Sequence, residues 1–141
     1  MSEDCRKGAG GAEANNPAED LLVQAKRLMR GRGEARNYER AVALFDRAAR
    51  AGLPDAHYWL GKCYLKGLGC PRDPQGGVTC LERAATLGHA GACHKLGDCF
   101  ARGEGAPQNR ELAAYWYRRA AARGDNRAFD KLLELSRNFD E

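Results

Sequence analysis

Residues Ala56 to Gly88 read AHYWLGKCYLKGLGCPRDPQGGVTCLERAATLG, and a shift of 36 residues either way lays this stretch on its neighbours. Forward, Ala56 meets Ala92, Leu60-Gly61 meets Leu96-Gly97, and Tyr64 meets Phe100. Gly67 and Gly69 meet Gly103 and Gly105, Asp73 meets Asn109, Ala84-Ala85 meets Ala120-Ala121, and Gly88 meets Gly124. Backward, Gly31, Gly33, Asn37, Ala41, Val42, Leu44, Ala48, Ala49 and Gly52 align. A fixed period of about 20–50 residues marks a repeat architecture.

Each unit reads as helix, glycine turn, helix, turn. Ala56, Leu60, Tyr64 and Leu65 follow the spacing of one apolar helical face, and Gly61 on that face admits a close neighbour. Gly67-Leu68-Gly69 ends the helix, because glycine takes the left-handed C′ conformation without a Cβ penalty. Asp73 then serves as N-cap and Pro74 as N1 of a second helix, with Asn37 and Asn109 at the same cap position in the adjoining units. That second helix carries Val78, Leu81, Ala84 and Ala85 inward, and Gly88 stops it.

These residues resemble the Sel-1-like repeat, a relative of the tetratricopeptide repeat. The third unit matches its pattern best, through Ala92, Leu96-Gly97, Phe100, Gly103, Gly105, Asn109, Ala113, Trp116-Tyr117, Arg119-Ala120-Ala121 and Gly124. The second departs at Gly76-Gly77 and at Cys80, and the first has Gln24-Ala25 in place of Leu-Gly. The resemblance covers residues 17 to 137 and implies an all-α solenoid of three helix pairs, with units at about 17–52, 53–88 and 89–124. A capping segment, 125–141, follows. Helices are expected over 17–31, 38–51, 55–67, 74–87, 91–103, 110–123 and 126–137. The expected core is Leu60, Tyr64, Leu81, Leu96, Phe100, Trp116 and Tyr117, with Gly61 and Gly97 at tight helix contacts.

Working outward, residues 1–16 are small and polar and are expected to be a disordered tail holding Cys5. Asn16-Pro17-Ala18-Glu19 reads as a helix start. The first unit places Leu21, Leu22, Ala25, Leu28 and Met29 on its first helix. At the other end Ala128, Leu132, Leu133 and Leu135 form the apolar side of the seventh helix. That helix reads as a solvating cap, the alternative being the start of a further unit of a longer array. A net charge of +4 spread over all helices makes no basic stripe for nucleic acid. No apolar run is long enough to span a membrane, and the N-terminus has no apolar h-region, so a cytoplasmic setting is expected.

The six cysteines contain no CxxC spacing, and His89, Cys93, His94 and Cys99 cluster in sequence without sharing one helical face. No metal or other cofactor is expected. The resemblance includes a cysteine-rich branch with a disulfide from each second helix to the next unit's first helix. Cys93 occupies one of those positions here and Ala85 the other, so that bridge cannot form. Cys63 and Cys99 are equivalent positions on neighbouring first helices, too far apart for a disulfide. The cysteines are therefore expected to be reduced. Ser2 and Ser136 are the only serines, and no nucleophile motif accompanies the histidines, so no catalysis is expected.

What remains is surface. By resemblance to tetratricopeptide-like arrays, the first helices line a concave groove. Its facing residues would be Glu19, Leu22, Lys26, Met29 and Arg30, then Asp55, Tyr58, Lys62, Leu65 and Lys66, then Gly91, His94, Asp98, Ala101 and Arg102. Arg30, Lys66 and Arg102 form one basic column, and Lys26, Lys62 and Asp98 another. The expected function is a protein–protein interaction module, an adaptor or scaffold whose groove takes an acidic protein or peptide segment. Lys26, Arg30, Tyr58, Lys62, Lys66, His94 and Arg102 are the candidate contacts. Arg47, Arg83 and Arg119 make an all-basic column on the second helices, so such columns also arise without a ligand. Two other classes stay open: a β-lactamase-like enzyme of the cysteine-rich branch, and a redox or metal-handling assembly factor.

Overall fold

The computed structural model describes residues 17–31 and 37–139, the last two by backbone alone. Seven α-helices follow in order: α1 (Pro17–Arg30), α2 (Tyr38–Arg50), α3 (Pro54–Lys66), α4 (Pro74–Thr86), α5 (Ala90–Arg102), α6 (Arg110–Ala122) and α7 (Asn126–Phe139). No strand occurs among the described residues, and each helix lies within two residues of its expected ends. The tail 1–16 with Cys5, the cap at Asn16 and Gly33 lie outside the described residues.

The caps explain why the second helices start where they do. Asn37, Asp73 and Asn109 each accept the backbone N–H three residues on, from Arg40, Gly76 and Leu112, at 3.0, 3.1 and 3.0 Å. Each bond satisfies a donor that the first helical turn leaves unpaired. Two first helices use caps of another kind. His89 Nδ1 accepts the N–H of Ala92 at 3.0 Å to open α5, and Asp125 Oδ1 accepts those of Arg127 and Ala128 to open α7.

In each Gly-x-Gly turn the two glycines do different things. Gly67 and Gly103 take φ of 74° and 75° as left-handed C-caps of α3 and α5. Gly69 and Gly105 make contacts between units. A Cβ on Gly69 would strike the backbone of Tyr38 at the start of α2, and one on Gly105 that of Pro74 at the start of α4. The motif thus both ends a helix and seats one unit on the last.

Packing is most extensive within the pairs α1/α2, α3/α4 and α5/α6, and each pair also packs on the next. Two core clusters result. One joins Ala25, Leu28, Phe45, Leu60, Cys63 and Cys80. The other joins Leu65, Leu81, Leu96, Cys99, Phe100, Tyr117 and Ala128. Leu60, Leu81, Leu96, Phe100 and Tyr117 are buried as expected.

Four expectations need correcting. Tyr64 is half-buried, at the mouth of a cleft lined by Asp46, Arg50 and Arg83. Trp116 is also half-buried, because its indole stands in the register where Cys80 fills the slot with a thiol. Leu65, placed both on the apolar helical face and among the groove residues, is buried against Gly77, where a Cβ would come within 2.8 Å of Leu65 Cγ, so the first placement holds and the second does not. Leu133, expected inward, is 48% exposed beside Phe129 at 56%. It stands in the register of Gly97, which faces its own unit's second helix, and among the described residues no helix follows α7 to cover it.

Candidate functional site

The first helices α1, α3 and α5, with α7 in the same register, present the face on which the groove residues lie. Two of the seams between them are locked by a histidine and an aspartate. Lys26 on α1 places its Nζ 2.7 Å from Asp55 Oδ2 on α3, and Asp55 Oδ1 lies 3.1 Å from His89 Nε2. His89 Nδ1 accepts from Ala92, so the ring proton sits on Nε2 and is donated to Asp55. At the next seam the roles are exchanged. His94 Nδ1 on α5 is 2.9 Å from Asp125 Oδ2, the cap of α7, while its Nε2 faces Asp98 at 3.7 Å. The Tyr117 hydroxyl on α6 donates to Asp98 Oδ1 at 2.5 Å, and His94, Asp98 and Asp125 are only 11–12% exposed. Burial, with Asp98 beside it, raises the Tyr117 pKa.

The His89 hydrogen bond and the Lys26 ammonium hold Asp55 down at about 2, against the opposing effect of burial. A depressed carboxylate stabilises the fold fully above its ordinary pKa of 3.8, and that share is lost as pH falls from there toward 2. Thermal melts of Asp55→Asn and the parent should therefore differ most above pH 4 and converge as pH approaches 2. A gap that persists unchanged at the lowest pH would show that the charge of Asp55 does not carry the effect.

Aromatic rings adjoin the first seam. Tyr58 stacks on His89 with centroids 4.5 Å apart, and Trp59 stacks on Phe45 of the preceding unit at 5.9 Å. Lys62 Nζ sits over both rings, 5.0 Å from Tyr58 and 4.4 Å from Trp59. Burial, then the neighbouring Lys66, lowers the Lys62 pKa.

The seven candidate contacts divide accordingly. Arg30, Lys66 and Arg102 are exposed and have no ion-pair partner among the described residues. Lys26 is engaged with Asp55, and His94 is held between two carboxylates. Tyr58 and Lys62 are half-buried and share a cavity of about 490 Å³ with His94. A second cavity, of about 220 Å³, includes Arg102, while Lys66 lines neither. Sequence reasoning missed Arg127, Asp130 and Glu134 of α7, which also line the larger cavity. The signal was available: one more shift of 36 carries Gly91, His94 and Asp98 onto Arg127, Asp130 and Glu134.

The other candidate chemistry disperses. His89 turns to Asp55 and His94 to Asp125, while Cys93 and Cys99 are buried in the core. Among the described residues no group of three or more His, Cys, Asp or Glu side chains is placed to hold a metal ion. All five described cysteines are free thiols, and burial pushes Cys63, Cys80 and Cys99 up to about 11. Ala85 lies in the same core cluster as Cys93. No helix among the described residues is long and apolar enough to cross a membrane.

Comparison with known proteins agrees with this arrangement. The Sel1 repeat family pattern matches residues 25–53, 54–89 and 90–125, and the chain belongs to that family. Sel1 repeats are in general modules of protein–protein interaction. Among solved structures, a protective antigen of uropathogenic Escherichia coli strains with an SLR fold is 30% identical, with a TM-score of 0.80 over 86% of this chain and 26% of that one. A Sel1 repeat protein from Oxalobacter formigenes is 32% identical, with a TM-score of 0.79 over 85% and 49%. The cysteine rich protein B of Helicobacter pylori shares the fold at 19% identity, with a TM-score of 0.67 over 82% and 97%. The chain thus spans about a quarter of the first of these proteins and half of the second. No curated protein matches it by sequence.

Proposed function

We propose that the chain is an adaptor or scaffold module whose concave face holds an acidic segment of a partner protein. The observation that carries this reading is the column Arg30, Lys66 and Arg102: three exposed cations in one register of successive first helices, none paired among the described residues. A carboxylate-bearing segment laid across the helices meets one cation per unit through charge-assisted bonds. Each exposed pair contributes only about 0–1 kcal/mol, so binding needs several together with the apolar surface around Tyr58. A cytoplasmic setting suits the five free thiols.

A fluorescein-labelled, glutamate-rich decapeptide tests the reading by anisotropy. The parent should bind it with an affinity that falls as salt rises and the charges are screened. Lys66→Glu with Arg102→Glu should abolish that binding, while helical circular dichroism and melting temperature stay near those of the parent. Undiminished affinity in the double variant would show that the column is merely solvated.

A further inference from the structure

The face formed by α3, α5 and α7 carries charges of both signs that are not paired with one another. Lys62 of α3 and Lys95 of α5 line the larger cavity on one side; Asp130 and Glu134, one turn apart on α7, line it too. None of these four side chains makes an ion pair among the described residues, with each other or with anything else. Asp98 in the same cavity is already engaged, by the Tyr117 hydroxyl and with Lys131 at 4.0 Å. Lys62 meets only ring faces, and burial lowers its pKa, a shift that a bound anion would reverse.

Opposite charges facing an open cavity without meeting are complementary to a ligand that bears both signs. The larger cavity also shares Asp98, Lys131 and Glu134 with the smaller one that reaches Arg102. The two cavities thus lie side by side along α7, and we take them together as one trough for an extended chain.

We propose that this trough binds an extended peptide segment of mixed charge, its carboxylates on Lys62 and Lys95 and its cationic side chain on Asp130 and Glu134. The inference rests on the groove reading above and sharpens it. Arg127 and Lys131 of α7 line the cavity beside Asp130 and Glu134, so α7 itself offers both signs. A uniformly acidic segment would find cations there but leave Asp130 and Glu134 unpaired and facing its carboxylates. A cation in the ligand therefore adds affinity that carboxylates alone do not, and its position relative to the carboxylates sets the direction in which the segment lies.

The test uses labelled nonapeptides on an alanine–serine background, each with two glutamates and one arginine at spacings from two to six residues. Controls replace the arginine by glutamine. At one spacing the arginine peptide should bind about tenfold more tightly than its glutamine control, the combined effect of two exposed pairs. Asp130→Lys with Glu134→Lys should remove that advantage and leave the control bound as well or better. Asp130 and Glu134 are exposed, and Asp130→Asn with Glu134→Gln gives a milder variant should the reversal disturb folding. Equal binding of arginine and glutamine peptides to the parent, or an arginine advantage that survives both α7 variants, overturns the mixed-charge ligand. If the glutamate-rich decapeptide still binds through Lys66 and Arg102, the groove reading stands alone. If no peptide binds, the decapeptide included, both fall.

Discussion

Gly97→Leu in α5 is expected to cost about 3 kcal/mol or more in a denaturant titration. A Cβ at this position would lie 2.6 Å from Cδ1 and Cε1 of Tyr117. That ring cannot swing aside, because it is buried and its hydroxyl is tied to Asp98. The leucine must therefore push α6 off α5. Leu96→Met, a change of shape at nearly constant volume one residue earlier, should cost less than about 1.5 kcal/mol. Combining Gly97→Leu with Tyr117→Ala should be far from additive, since the second change opens the space that the first requires. A Gly97→Leu protein with the parent's unfolding midpoint would show that the helices do not meet closely there.

Leu96→Ala should cost about 2–5 kcal/mol, the sum of lost transfer free energy and a cavity that the helices only partly close. Leu96 is wholly buried in the cluster with Leu81, Phe100 and Tyr117, at the junction of α4, α5 and α6. Protein domains are stable by only about 5–15 kcal/mol, so the loss should appear as a clear drop in both urea midpoint and melting temperature. A change below about 0.5 kcal/mol would mean that the core lies elsewhere.

The placement of the helices was legible because the rules that start and stop a helix are local. An oxygen at Asn37, Asp73 or Asn109 reaches an N–H three residues away, and Gly67 or Gly103 turns the chain by its own backbone. Repetition at 36 residues then told which apolar faces must meet, and Leu60, Leu81, Leu96 and Tyr117 are buried accordingly. Where size rather than pattern decides, the reading failed. Trp116 and Cys80 share a register, yet only the thiol fits wholly inside, and Leu65, apolar-facing by its spacing, is closed off from the groove because Gly77 leaves it room within.

The candidate site was legible as a set of columns but not as a set of free charges. Lys26 and Asp55 are 29 residues apart, Asp55 and His89 are 34, and His94 and Asp125 are 31. Whether a cation is open to a ligand or already neutralised depends on such partners across a seam, and those distances exist only once the units are stacked. The sequence alone determined the repeat, the helices, most of the core and the exposed column Arg30, Lys66 and Arg102. Only the tertiary structure decided that Lys26 and His94 are occupied and that Asp130 and Glu134 join Lys62 around one cavity, because pairing between side chains from different units depends on how closely those units pack.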